Sequence, residues 1–88
     1  MSVIECNVLC YDQVSEDMGL KTKDEWIPFS IRVDQVAAVK LNGMGDNANK
    51  GVIYSTYGEV YVVDVEYETL KFLWYEAMGY SKILKSKL

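Results

Sequence analysis

The chain has no histidine and a single proline among its 88 residues. Histidine titrates closest to neutral pH and is the commonest general base and metal ligand. Without it, the usual Ser–His and Cys–His nucleophile pairs and the mixed Cys/His zinc sets cannot form. Cysteine is scarce too, with only Cys6 and Cys10. Four residues apart on an extended segment, their Cα atoms would stand roughly 13 Å apart, too far for a disulfide. Their spacing is not that of a C-x-x-C redox pair either. Both read as small buried hydrophobes, since no histidine is present to activate a thiol. No apolar run approaches the roughly 18 residues of a membrane-spanning helix. The opening MSVIECNVLC lacks the basic region and cleavage site of a signal peptide. A cytoplasmic location is therefore expected, with no membrane partner.

Basic charge is also in short supply. The net charge is −4, and it is unevenly spread. Residues 1–70 carry five basic and twelve acidic side chains, giving −7, while residues 71–88 carry four basic and one acidic, giving +3. An acidic body with no basic patch disfavours contact with a phosphate backbone, so no nucleic-acid partner is expected. Gly43 and Gly45 lie in NGMGDNANK, which lacks the Gly-Lys-Ser/Thr and following helix of a phosphate loop. That segment reads as a flexible connection.

What the chain does have is apolar and aromatic bulk. Half of its residues are hydrophobic, and it holds seven tyrosines and two tryptophans. A chain of this length buries roughly 60–65% of its unfolded surface, enough for a core without metal or disulfide. Residues 1–79 read as one domain and residues 80–88 as a short basic tail. No metal and no cofactor are implied.

The densest apolar stretch is 51–79, GVIYSTYGEVYVVDVEYETLKFLWYEAMG. Val52–Thr56 and Val60–Val65 are rich in Val, Ile, Tyr and Thr, which suit a pleated surface. Gly58 supplies the positive φ that a tight hairpin needs. A two-residue turn would set Tyr54 opposite Tyr61 and Val52 opposite Val63; Tyr57 suits such a turn poorly, so a three- or four-residue loop is an alternative. The two-residue register would place Val52, Tyr54, Tyr61 and Val63 on one face and Ile53, Ser55, Val60 and Val62 on the other. Both faces are apolar, so both need cover. Tyr67, Leu70, Trp74, Ala77 and Met78 recur at helical spacing and supply one cover. Asp64 or Glu66 is expected to cap the helix start, and Gly79 to stop it. Phe72, Leu73 and Tyr75 widen the apolar stripe beyond a simple core face. Asp64, Glu66 and Glu68 could gather round a cation, but their ordinary role is capping and solvation.

Upstream, Val3–Tyr11 alternates and reads as a first strand with the cysteine face inward. Residues 12–25, DQVSEDMGLKTKDE, form a polar connection that Val14, Met18 and Leu20 could anchor. Loops of this length are often functional. Trp26–Val33 is a second strand, an edge at Pro28 because proline donates no ladder hydrogen bond. Asp34-Gln35 is a turn, and Val36–Leu41 a third strand. The expected fold class is α+β: about five strands, mainly antiparallel, open or curled into a barrel-like sheet, with one C-terminal amphipathic helix.

Within this order, residues 29–74 resemble a family of short bacterial proteins typified by the flagellar protein FlbD. The likeness rests on the strand and acidic turn Phe29-Ser30-Ile31-Arg32-Val33-Asp34-Gln35-Val36, the strand Val52-Ile53-Tyr54 and the turn glycine Gly58. Tyr61-Val62-Val63 follows, leading through Glu66 into a helix at Tyr67–Leu73. The resemblance covers about half of the chain and implies a small sheet-plus-helix fold with no catalytic residue to carry over. The first strand and its loop, NGMGDNANK and the tail depart from the pattern.

The sequence therefore points to contact rather than catalysis. The leading expectation is a small non-catalytic protein-interaction module of bacterial or phage origin, binding itself or another protein. Trp26, Tyr54, Tyr57 and Tyr61 are the interface candidates, because tyrosine and tryptophan dominate interface hot spots; each could equally be core. Two other readings stay open. One is a small-ligand or sequestering protein using the 12–25 loop or a subunit interface. The other is an acidic inhibitor occupying a partner's nucleic-acid-binding surface.

Overall fold

A computed structural model describes residues 2–10, 25–79 and 83–86. The fold is α+β. Five strands run β1 (Val3–Cys10), β2 (Glu25–Arg32), β3 (Val36–Leu41), β4 (Lys50–Ser55) and β5 (Val60–Glu66), followed by the helix α1 (Tyr67–Met78). They form one sheet in the order β2-β1-β5-β4-β3, with every neighbouring pair antiparallel.

The sheet is open but strongly curled. β2 and β3 lie at opposite edges, yet only the 3-10 turn Val33–Gln35 separates them in sequence. Arg32 to Val36 offers at most roughly 14 Å of chain. Four inter-strand gaps of a flat sheet would need roughly 19 Å. The turn is tied to both sides: Val33 N–H donates to the Ser2 carbonyl at 3.0 Å, and Thr56 N–H to the Gln35 carbonyl at 2.9 Å. The concave face so created holds the core of Ile4, Ile31, Val33, Val36, Ile53 and Val63, closed by Leu70 of α1. The helix packs over β3, β4, β5, β1 and the 3-10 turn.

Pro28 pairs with Asn7 on the edge strand β2, where the sequence places it. Since Val33 bonds to Ser2 and bonded pairs alternate in an antiparallel ladder, Pro28 sits at a position whose nitrogen faces away from β1. Its missing donor therefore costs the ladder nothing. The other edge, β3, carries a register irregularity between Val36 and Ala38 and an exposed Lys40, both of which discourage strand addition.

Of the hairpin loops that the sequence allows, the three-residue one is found, and the register laid out for the two-residue turn is corrected. The β4–β5 hairpin turns through three residues, Thr56-Tyr57-Gly58, with Gly58 at φ 88°. Ser55 N–H donates to the Glu59 carbonyl at 2.9 Å, and the Ser55 hydroxyl both accepts from Glu59 N–H at 2.9 Å and lies 3.0 Å from its carbonyl. Ser55 is thus the buried polar residue that locks the turn. The extra residue moves the register by one, so Ile53 faces Tyr61, Tyr54 faces Val60 and Val52 faces Val62. The concave face consequently carries Ile53, Ser55, Tyr61 and Val63, and the convex face Val52, Tyr54, Val60 and Val62.

The helix start is also corrected. No carboxylate caps it; the Tyr67 N–H donates instead to the Asn49 carbonyl at 3.1 Å. Gly79 ends the helix as expected, in the left-handed conformation at φ 66°, with its N–H directed to the Glu76 and Tyr75 carbonyls. Gly51 marks where helix meets sheet: a Cβ there would stand 2.5 Å from Leu70 Cδ2 and 3.3 Å from Leu70 Cβ.

Candidate functional site

The helix α1 shelters only part of the concave face and does not reach the convex face. Two apolar surfaces result, and the four aromatic candidates divide between them. Trp26 and Tyr54 lie on the convex face, both half-buried, with β1 and β5 between their strands. Tyr57 and Tyr61 lie together at the hairpin end of the concave face, their hydroxyls 3.0 Å apart. A single four-membered aromatic patch does not form.

The convex surface is built by strand alternation. Trp26 faces Leu9 across the β1–β2 ladder, and the Val8–Val63 pairing sets Leu9 beside Val62. Val60 follows Val62 along β5 and is 53% exposed. Tyr54 pairs with Val60 and lies 5.6 Å below the Lys40 ammonium. Over one side of this surface folds the segment 42–49. Its Asn42 side-chain amide donates to the Asn47 carbonyl at 3.1 Å and the Met44 carbonyl at 3.4 Å, and Gly43 N–H donates to the Ala48 carbonyl at 2.8 Å. Gly43 and Gly45 take the positive φ that this path demands. The segment is a built loop rather than a slack connection. Leu9, Val62, Asn42, Met44, Asp46 and Asn47 line a hollow of about 370 Å³ beneath it, and Met44 at its rim is 75% exposed.

The concave mouth is lined by Tyr57, Tyr61, Phe29 and Ile27. Tyr61 reaches across β1 to set its ring 4.5 Å from that of Phe29. Tyr57 and Ile27 remain 54% and 38% exposed. The hydrogen bond shared with Tyr57, partial burial and the nearby charges of Tyr57 and Glu59 push the Tyr61 phenol up to about 12. It is neutral at any physiological pH. Glu59, opposite Ser55 at the end of the hairpin, alternates with Tyr61, and its carboxylate is one of the charges acting on that phenol, while Glu25 shares the face of Ile27 on β2.

The remaining reactive groups are engaged or blunted. Asp64 pairs with Lys50 at 2.8 Å and Glu68 with Lys71 at 2.8 Å, so the carboxylates of 64, 66 and 68 do not converge. Among the described residues no group of three or more His, Cys, Asp or Glu could hold a metal ion. Cys6 packs against the core, where burial first and Asp64 second push its thiol up, while Cys10 is exposed. No helix of the described residues is long and apolar enough to cross a membrane. The loop proposed for ligand binding lies, at residues 12–24, outside the described residues.

The sequence pointed to none of Leu9, Val62, Met44, Phe29, Ile27 or Glu59 as site residues. Asn42 followed by glycines at 43 and 45 was the available sign of a built loop. The others depend on the curl of the sheet, which brings residues of non-adjacent strands into contact. No protein-family model matches the chain, and no curated protein or solved structure matches it.

Proposed function

We propose that this chain is a small, non-catalytic, cytoplasmic interaction module of bacterial or phage type that self-associates through the convex face of its sheet. The observation that carries the reading is the apolar row Trp26–Leu9–Val62–Val60 on the face opposite the helix, in which Val60 is 53% exposed and the other three are half-buried, Leu9 and Val62 at the floor of the hollow beneath the 42–49 loop. Monomeric proteins rarely leave a large contiguous apolar patch open to water, and symmetric pairing of such a patch is the commonest way to cover it. The resemblance to FlbD-type proteins fits this reading, since it brings a fold and no catalytic group. The expected outcome is a dimer or larger species by sedimentation at micromolar concentration, reduced to monomer by Val60→Asp with the far-ultraviolet spectrum unchanged. A monomeric unsubstituted chain refutes the reading.

The hollow beneath the 42–49 loop supports a second reading, a small-ligand binder. It combines an apolar floor of Leu9 and Val62 with Asn42, Asp46 and Asn47, the mix typical of ligand pockets. Thermal-shift screening of nucleotides and common metabolites tests it. A stabilising ligand whose effect disappears in Val62→Trp would favour it over self-association.

A further inference from the structure

The concave mouth and the C-terminal segment have matching chemistry. The mouth offers the Tyr57 and Tyr61 rings, Phe29 and Ile27, with the Glu59 carboxylate close enough to act on the Tyr61 phenol. The segment after Gly79, YSKILKSKL, alternates apolar and basic residues and carries three lysines and no acid. Its Leu84 is 82% exposed and Ile83 42%, so both keep apolar surface open to water. Residues 1–70 sum to −7 and residues 71–88 to +3. Opposite net charge draws the end of one copy towards the body of another. Leu84 lies six residues past Met78, an extended reach of roughly 20 Å.

We propose that the C-terminal segment of one copy docks in the aromatic mouth of a second copy, with Ile83 and Leu84 on the Tyr57–Tyr61–Phe29–Ile27 surface and Lys85 beside Glu59. A lysine ammonium is attracted both by the face of an exposed tyrosine ring and by a neighbouring carboxylate. Leu84 provides the apolar contact and Lys85 the orientation. Reciprocal exchange of two segments closes a two-fold pair, with each chain giving one end and accepting the other. The docking deepens the self-association reading and rests on it only in that two copies meet. Its residues are separate from those of the convex face.

The test is sedimentation equilibrium of the full chain and its variants. Leu84→Asp is expected to weaken association about tenfold or more, because it puts a charge in place of an apolar side chain that docking would bury. Lys85→Glu and Glu59→Lys are each expected to weaken it about two- to fivefold, the range of an exposed ion pair. The double variant Glu59→Lys/Lys85→Glu is expected to recover most of that loss, and added salt to erase the difference. Association of Leu84→Asp as tight as that of the unsubstituted chain overturns the proposal. So does a double variant no stronger than the weaker single, because the segment then docks elsewhere. Val60→Asp separates the two ideas. If it abolishes association and the tail variants do not, the convex-face reading stands and this proposal falls. The reverse pattern removes the convex-face reading and leaves the tail docking in place.

Discussion

The concave and convex faces of the sheet are made from nearly the same residue types. Ile53 and Val63 on one side and Val60 and Val62 on the other are equally good strand formers. Yet Ile53, Val63 and the helix residue Leu70 have no exposed surface, while Val60 is 53% exposed. Residue chemistry does not account for the difference. It comes from the curl of the sheet and from the one helix, which packs on the concave side alone. Val52 qualifies the contrast: it lies on the convex face but is 3% exposed, because its strand is interior to the sheet and Lys40 and Val62 flank it. The helix covers one face from above, whereas on the other the cover is strand neighbours and, on one side, the 42–49 loop.

The strongest way to break this contrast is to remove the cover. Leu70→Ala is expected to cost about 2–5 kcal/mol, the range for a fully buried leucine, read from the denaturant midpoint. Val60→Ala on the opposite face is expected to stay within about 0.5 kcal/mol in the monomer. Equal costs would show that the convex face is as well buried as the concave one. Overpacking the same contact is the next step. Gly51→Ala places a methyl group against Leu70, which has no free surface to retreat to, and is expected to cost about 1–3 kcal/mol. A joint variant with Leu70→Ala should recover part of that loss, because the two changes share one space.

The hairpin turn sets which residues belong to which face, and Ser55 holds it. Ser55→Ala leaves the Glu59 N–H without its side-chain acceptor and is expected to cost about 1–2 kcal/mol in the same assay. The two smallest effects probe the mouth and the first strand. Tyr61 titrates near 12 and Tyr57 is the first cause, so Tyr57→Phe should move one phenol back towards 10 in an ultraviolet titration. A folded-state pKa above the unfolded value means that the folded state holds its proton more tightly. The contribution to stability is complete below about pH 10 and is lost as the pH rises from about 10 through 12. Thiol labelling should modify exposed Cys10 well before Cys6, whose burial keeps the thiolate scarce. Equal rates would mean that β1 does not hold its inward face against the core.

Much of the fold was legible in the residues. Alternation gave β1 and its inward Cys6, Pro28 marked an edge, Gly79 ended the helix, and the spacing of Leu70, Trp74 and Ala77 gave the face that meets the core, whereas Cys10 and Met78, expected to be buried with them, are exposed. These are local signals, each decided within a few residues of chain. The turn length was not legible, because Thr56-Tyr57-Gly58 admits more than one loop and the choice depends on the Ser55–Glu59 bonds. That one residue changed which side chains share a face. The candidate site suffered most. Tyr57 and Tyr61 do meet, but Trp26 and Tyr54 lie apart on the other surface.

By itself, then, the amino-acid order determined the element types, the absence of histidine chemistry, and the surplus of apolar strand surface over what one helix can bury. Only the tertiary structure decided which face the helix took, which aromatic rings became neighbours, and which apolar side chains were left facing water. Propensity and periodicity act between residues close in sequence, and they are the same for the two faces of a strand. The choice between faces is made by contacts such as Leu70 on Gly51 and Tyr61 on Phe29, which exist only once distant segments have been brought together by the curl of the sheet.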